Sequence, residues 1–538
     1  MSAGKKTAIS SILSSSSQMA GATFLSRILG LIREQVLAAI FGASGFTDAF
    51  LVAYRIPNLL RDLFAEGAFS SAFVPTFIQA RVAGGDAKAR KLLWQLFIVL
   101  FIITGIISIF TIIFTPEIIN LFAPTYKNDP HRFTITVTLT RIMAPFLTLI
   151  SLSALFMGAL NSLKVFLIPS LSPAFFNLAA IFSTIGFPAL FFKWGWEPIY
   201  ALGVGVMVGG FLQGLVQLPA LFKKNYGPLF FSFKFKELFS QDVKTVFKKL
   251  GPGLLGFSAS QINLLVTTIL ASGTVIGAIS WLNYAFRLFQ FPVGILSVSL
   301  GNSHLVHFSE SFKKNTTEGR EEALSFLQSS YFLSWLLIVP CTVILYMLAP
   351  EITKLIFERG KFTASDTLHT TLALKLYVLG LPAYGLYKIL VPTFYSLDKQ
   401  NIPVTVSLFS IAVNILFCLI LTPHFGFWIL ALGTTLSMCL NVLLQSYLLG
   451  RFLKLKMNFF ISKRVLKILL AGLGMIFGLF ELKSLSFLSA FDSSMGLMRI
   501  VVNLSFITIL SLLAIFLYVS ILWILGEGDF FKSFFKKT

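Results

Sequence analysis

Residues 24–82 read FLSRILGLIREQVLAAIFGASGFTDAFLVAYRIPNLLRDLFAEGAFSSAFVPTFIQARV. The stretch is long and apolar enough for two membrane-crossing helices, yet it carries Arg27, Arg33, Glu34, Asp48, Arg55, Arg61, Asp62 and Glu66. An arginine near the middle of a bilayer costs between about 2.5 and over 10 kcal/mol. A chain with four of them in or beside its first two spans must face them to water, to counter-charges or to an anionic ligand. The remaining spans are therefore expected to wall a polar cavity.

Composition identifies the solvent. Of 538 residues, 56% are hydrophobic and 12% charged, with 59 Phe, and the mean hydropathy is +0.84. A soluble protein of this length cannot hide so much apolar surface, so lipid is the expected surrounding. The net charge is +21, from 43 Lys and Arg against 22 Asp and Glu. No nucleic-acid-binding motif accompanies the excess, so no nucleic acid is expected as partner, and the charge reads as cytoplasmic loops under the positive-inside rule. Cys341, Cys418 and Cys439 stand apart in apolar runs without metal-ligand spacing and read as small buried hydrophobes. Lys5 and Lys6 precede a Ser-rich stretch and a long Arg-bearing helix, which does not fit a cleavable leader, so the first span is expected to remain as an anchor.

Apolar runs separated by polar or Gly/Pro punctuation place fourteen spans near 17–41, 46–80, 92–115, 133–160, 167–192, 198–222, 244–272, 275–307, 323–349, 368–396, 402–423, 427–450, 464–482 and 498–525. The expectation is an all-α polytopic membrane protein. With the N-terminus inside, the cytoplasmic segments hold 26 Lys and Arg and the outer loops 7, which sets both termini in the cytoplasm. The connection at 223–249, KKNYGPLFFSFKFKELFSQDVKTVFKK, alternates Phe and Leu with Lys and is expected to lie along the cytoplasmic surface as an amphipathic linker. It divides an N-lobe (1–222) from a C-lobe (250–450, its first span starting near 244), and 451–538 supplies two further helices and a tail. The halves are weakly alike: Ser162, Leu163 and Pro169 recur as Ser396, Leu397 and Pro403, a constant offset of 234. Tyr54 and Arg55 find a rougher echo in Tyr284 and Arg287. A duplicated transporter core with two extra helices would give this pattern.

The arginines carry the chemistry. Arg27 and Glu34 are seven apart and share a helix face, with Arg33 next to Glu34. Arg55 and Asp62 repeat that spacing, and Pro57 with Asn58 is expected to interrupt the helix between them, as tolerated where a cavity is lined. The plain alternative is internal pairing with Glu34, Asp48, Asp62 and Glu66 that only fixes helix packing. Arg287 weighs against it, because its span holds no acid. A guanidinium is always charged and its fork fits phosphate oxygens in pairs. Surplus Arg without a metal site or catalytic dyad therefore matches a phosphate-bearing ligand that is bound and released. Lys388 is a candidate lining residue in the second half, and Lys375 reads as readily as a snorkelling side chain. His304 and His307, at i, i+3 beside a loop, read as interfacial in preference to a proton relay. Arg141, Lys467 and Arg499 near span ends read as snorkelling, and Asn177 and Asn414 as helix–helix contacts. GVGVMVGG (203–210) has small-residue spacing for close helix approach and lacks the context of a phosphate loop. No paired carboxylates and no GxSxG, HExxH or CxxC occur, so no enzyme is expected.

These blocks resemble a known family. SRILGLIRE (26–34), TDAF (47–50) and YRIPNLLRDLFAEGAFSSAFVPTF (54–77) are similar to the N-terminal signature of the MurJ (MviN) lipid II flippases, within the MOP superfamily of multidrug, oligosaccharidyl-lipid and polysaccharide exporters. The likeness continues through GPGLLGFSASQIN (251–263), WLNYAFRLFQFPVGILSVSLG (281–301) and ERGKFTASD (358–366). It implies two six-helix lobes, with the last two helices bordering a groove for a polyprenyl tail. It implies alternating access that carries undecaprenyl-diphosphate-linked peptidoglycan precursor from the inner to the outer leaflet of the bacterial cytoplasmic membrane. The family's transport residues fall on Arg27, Arg33, Asp48, Arg61 and Arg287, and Arg55 holds a position that is basic in the family. Glu34, Glu66 and Lys388 are accessory candidates. Expected partners are lipid II, membrane lipids and other cell-wall synthesis proteins. No cofactor is expected, and the cationic site would couple to membrane potential or to an ion. Two departures stand out. The family pattern has an acid before the Arg287 position and another three residues after it, where this chain has Phe286 and Gln290. HLVHFS (304–309) replaces a Pro-containing helix end.

Rival functions make different demands. A cationic-drug exporter should carry intramembrane acids in excess, and here Arg dominates. A membrane glycosyltransferase needs a catalytic acid at the outer face, for which Glu117, Glu351 and Asp366 qualify by location only. A non-transporting scaffold would have no use for the cavity arginines.

Overall fold

In lipid no water satisfies a free N–H or C=O, so a spanning chain must close its backbone hydrogen bonds within each segment. The computed structural model describes residues 3–65, 68–229, 235–314, 316–455, 459–460, 462–484 and 497–528, and all regular structure among them is helical. Within the helices, the side chains of 3–18, 20, 60–65, 68, 70–71, 235–236, 251–260, 298 and 497–499 lie outside the description. The chain packs as two units. One comprises Met1–Ser280 with Arg359–Phe362, the other Trp281–Glu358 with Thr363–Thr538.

The first unit contains α1 (Ala3–Phe41), α2 (Gly45–Ala65), α3 (Ala68–Ile113), α4 (Thr115–Phe122), α5 (Pro130–Met143), α6 (Phe146–Ser162), α7 (Leu167–Gly186), α8 (Pro188–Lys193), α9 (Tyr200–Leu215), α10 (Leu218–Lys223) and α11 (Gln241–Ser272). From α12 (Ala278–Pro292) the chain enters the second unit, with α13 (Val298–Lys313), α14 (Thr317–Met347), α15 (Ala349–Phe357), α16 (Ala364–Val378), α17 (Leu381–Ser396), α18 (Asn401–Phe425), α19 (Trp428–Leu453), α20 (Lys463–Ser484) and α21 (Leu497–Leu522). Each of the fourteen expected spans falls on helix. Nine described helices are long and apolar enough to cross a membrane, and α16 with α17, bent by 42° at a short break, makes a tenth. Helices α1, α2 and α12 fall outside that set, and these are the ones that carry Arg27, Arg33, Arg55 and Arg287.

One local expectation is corrected. Helix α2 runs unbroken through Pro57, because the ring fixes φ near the helical value and removes only one backbone bond. The described residues of the span expected over 46–80 belong to α2 and the start of α3. Helix α3 is itself broken at Gly84 and Gly85, where Gly85 takes φ +66°, a left-handed conformation open to glycine. That break is the basic connection expected at 81–91.

One core of the first unit gathers Phe69, Phe73, Phe77, Trp94 and Phe156, and another Phe41, Phe50, Met143, Phe146 and Phe176. The glycine-rich face of α9 makes the second possible. A Cβ on Gly205 would stand 2.7 Å from Ser183 Cβ, and one on Gly209 would stand 2.7 Å from the Phe176 ring and 2.9 Å from its carbonyl oxygen. Helix α7 therefore lies against bare backbone, as the spacing in 203–210 implies. In the second unit, Phe308, Tyr331, Leu386 and Phe394 form one core, and Val339, Ile468, Met475 and Tyr518 tie α14 to α20 and α21.

The offset of 234 extends well beyond three identities. Lys164 and Asp398 are both in the left-handed region, at φ 62° and 56°. Val165 N donates to Leu160 O at 2.9 Å, and Lys399 N donates to Phe394 O at the same distance. The Ser162 hydroxyl donates to Gly158 O, and that of Ser396 to Pro392 O. Helix α5 is capped by Asp129 and α16 by Thr363, again 234 apart, and Pro-Glu-Ile opens both α4 (116–118) and α15 (350–352). The segments 116–165 and 350–399 thus share helix starts, caps and turn geometry.

Gly209→Ala is expected to cost about 1–3 kcal/mol, read as a lower melting temperature of the purified protein. Gly214→Ala, whose Cβ meets nothing nearer than 3.9 Å, should melt as the wild type does.

Candidate functional site

The first unit sets three of the expected arginines in different surroundings. Arg27 is exposed on α1 and makes no ion pair among the described residues. Arg33 is 19% exposed, donates to Glu34 Oε1 at 2.7 Å and lies 5.6 Å over the Phe176 ring. Arg55 is half-buried on α2. The seven-residue spacing leaves Arg27 two turns from Glu34, about 10 Å along the axis, and the buried Glu34 meets its sequence neighbour Arg33 instead. Helix α1 is fixed in this orientation by α7, where Asn177 Nδ2 donates to Ser26 O at 3.0 Å, the helix–helix contact expected of that asparagine. Arg61 lies on α2 with its side chain outside the described residues, as does Glu66 entirely.

Asp48 is different in kind. It is 1% exposed at the start of α2. Its Oδ2 accepts from Gly277 N at 2.7 Å, and its Oδ1 accepts from Ser280 N at 2.9 Å and the Ser280 hydroxyl at 2.6 Å. The neighbouring charge is Arg132, which lies 4.4 Å over the Tyr126 ring and 3.3 Å from Asp129. A carboxylate accepting three hydrogen bonds acts as the N-terminal cap of α12. Asp48 is thus a tie within the first unit. Its partners Gly277 and Ser280 were not singled out from the sequence, and no local motif joins residues 229 and 232 positions away.

In the second unit Arg287 is exposed on α12. Phe286 packs against Phe289 and Tyr377, with ring centroids 5.6 and 5.4 Å away, and Gln290 is exposed. Position 286 therefore belongs to an aromatic contact, which an acid could not join without leaving a charge among rings. Lys388 is half-buried on α17 and makes no ion pair among the described residues, and its carbonyl abuts Gly301.

Two secondary expectations change. His304 is buried between α13, α14 and α17, with Nδ1 2.9 Å from Ser330 Oγ and Nε2 2.8 Å from Thr393 Oγ1. The Thr393 hydroxyl donates to Ile389 O, so Nε2 donates to it and Nδ1 accepts from Ser330. His304 is a core bridge, whereas His307 is exposed and stacks on Phe326. Lys467 does not snorkel: it lies 3.0 Å from the buried Glu527, which Arg464 also approaches at 3.6 Å. Arg499 lies outside the described side chains. No cluster of three His, Cys, Asp or Glu able to hold a metal occurs among the described residues. An exposed guanidinium such as that of Arg27 has the chemistry to meet an anion.

The chain matches the family model "Lipid II flippase MurJ" over residues 37–520. A curated relative, "Probable lipid II flippase MurJ" of Buchnera aphidicola subsp. Acyrthosiphon pisum (strain APS), is 36% identical over 460 residues, 85% of this chain and 88% of the relative. Among solved structures, "Lipid II flippase MurJ, inward closed conformation" superposes with a TM-score of 0.76 at 26% identity, covering 95% of this chain and 99% of the other. An inward-facing multidrug transporter of the MATE family, in the MOP superfamily, gives a TM-score of 0.66 at 13% identity over 79% of this chain and 94% of its own, a likeness of fold alone.

Asp48→Ala would leave three buried donors without their acceptor. It should lower stability by about 3 kcal/mol, seen as a fall in melting temperature. Ser280→Ala, which removes one of the three bonds, should cost about 1 kcal/mol.

Proposed function

The chain belongs to the MurJ family of lipid II flippases, and from that premise we propose that it moves undecaprenyl-diphosphate-linked peptidoglycan precursor from the cytoplasmic to the outer leaflet of a bacterial inner membrane. It is a transporter in this reading, and no bond in the substrate is made or broken. The observation that carries it is Arg27, exposed on α1, which this reading sets in the membrane, with no ion pair among the described residues, in a chain that matches the family over 37–520. A guanidinium in that position is costly unless an anion or water meets it, and a diphosphate supplies paired oxygens of the right geometry.

In this reading Arg27, Arg33, Arg55, Arg61 and Arg287 are the cations that meet the substrate's anionic groups, with Glu34 and Glu66 moderating their repulsion and Lys388 adding to the basic charge. Substrate binding offsets that repulsion, which favours the state in which the N-lobe and C-lobe close over it. The polyprenyl tail stays in lipid beside α20 and α21. Release to the other side follows by alternating access. Both termini are cytoplasmic, as the 26 to 7 distribution of Lys and Arg favours. An inside-negative potential acts on the site at roughly 2.3 kcal/mol per charge per 100 mV and would drive return of the empty carrier. Membrane lipids surround the protein, and cell-wall synthesis proteins would supply and consume the substrate.

The test is accessibility of lipid II in the outer leaflet of cells depleted of their own flippase and carrying this chain. Wild type should restore it, and Arg27→Ala or Arg287→Ala should each reduce it by about tenfold or more, the loss of one charge-assisted contact. Unimpaired transport by both variants overturns the site. No restoration by well-expressed wild type redirects the reading to another lipid-linked substrate.

A further inference from the structure

The linker after α10 is strapped to the stretch of α3 that follows the glycine break. Arg90 Nε donates to Gly227 O at 2.8 Å, Trp94 Nε1 to Tyr226 O at 3.1 Å, and Gln95 Nε2 to Glu237 O at 2.6 Å. The Ser240 hydroxyl donates to Gln95 Oε1 at 3.0 Å. Both ends of the linker are thus anchored to the same piece of helix within the first unit.

These ties also use up the acids. Asp86 Oδ1 accepts from Arg81 Nε at 2.7 Å and from the Tyr226 hydroxyl at 2.8 Å. Glu237 pairs with Lys91 at 2.9 Å, and Asp242 with Lys88 at 3.4 Å. No other acid stands in 76–95 or 218–250. Lys223, Lys224, Lys244 and Lys248 are left exposed without an ion pair among the described residues. Exposed apolar side chains stand on the same elements: Phe222, next to Lys223, is 45% exposed, Phe239 in the linker 49%, and Val82 on α3 84%. Lys244 and Lys248 are one turn apart on α11, so they share a face.

We propose that this surface binds the anionic phospholipid headgroups of the leaflet it borders, with the exposed Val and Phe side chains set into the acyl boundary. Lysines next to apolar side chains at the end of membrane helices have the chemistry of an interfacial anchor. Each lysine near an anionic surface contributes about fivefold in affinity, weakened by salt. The inference concerns bulk phospholipid and stands apart from the transported substrate.

The experiment is spin-label lipid association on the full chain in mixed bilayers, giving the association constant of phosphatidylglycerol relative to phosphatidylcholine. Wild type should prefer phosphatidylglycerol, and raising salt from about 0.02 to 0.5 M should erode the preference. Exchanging all four lysines for Gln should reduce it by at least about tenfold, and exchanging them for Arg should preserve it. Replacing Lys127, Lys193 and Lys354, expected on the outer side, with Gln should leave it unchanged. An undiminished preference in the four-Gln variant overturns the proposal. So does intact lipid preference with lost growth support in that variant, which would assign the surface to a protein. Melting temperatures of all variants check that the strap still folds, and outer-leaflet lipid II, read separately, reports on transport.

Discussion

Absence of water is the constraint on which this structure depends. It forces the described spans into helices, and it favours polar side chains that find a partner within reach. Many find one on their own helix: Thr104 donates to Leu100 O, Thr140 to Thr136 O and Ser151 to Leu147 O, each bonding one turn back. Longer polar side chains reach a neighbouring helix, as Asn177 does to Ser26. A carboxylate demands more, and Asp48 gathers three donors. A guanidinium carries five donors and a permanent charge, the largest demand of these groups.

The same constraint explains what could be read from the chain. Span positions were legible because hydropathy over some twenty residues follows directly from the surroundings. The small-residue face of 203–210 was legible because close approach needs bare backbone at a helical period. The role of Asn177 was legible because an amide in an apolar helix has few other uses. What escaped the sequence depends on partners far along the chain. Nothing near Asp48 announces Gly277 or Ser280. His304 looked interfacial by its place beside a loop, yet Ser330 and Thr393, from two other helices, receive it in the core. Lys467 looked like a snorkelling residue until the chain returned sixty residues later with Glu527. Pro57 was misjudged for a local reason, since one missing hydrogen bond does not oblige a long helix to stop. The arginines were picked out by cost alone, but cost cannot distinguish the paired Arg33 from the exposed Arg27.

The acids near the break in α3 show the opposite economy from Asp48. There the carboxylates are at the surface and cheap to satisfy, and their contribution lies in holding the 223–249 connection against one helix. A segment whose sequence reads as a loose basic loop is thereby given a fixed course for much of its length.

The twin turns at Lys164 and Asp398 have a consequence for how such a chain can change. Their hydrogen bonds agree position by position, though one turn carries a cation and the other an anion. The helices that open the two copies have diverged in the contrary sense: α1 bears Arg27, Arg33 and Glu34, while Gly251–Ser272, its counterpart by order, has no charged residue. The two turns are thus alike in backbone, and the two helices are unlike in charge. Side chains at such joints can be rewritten while the backbone holds.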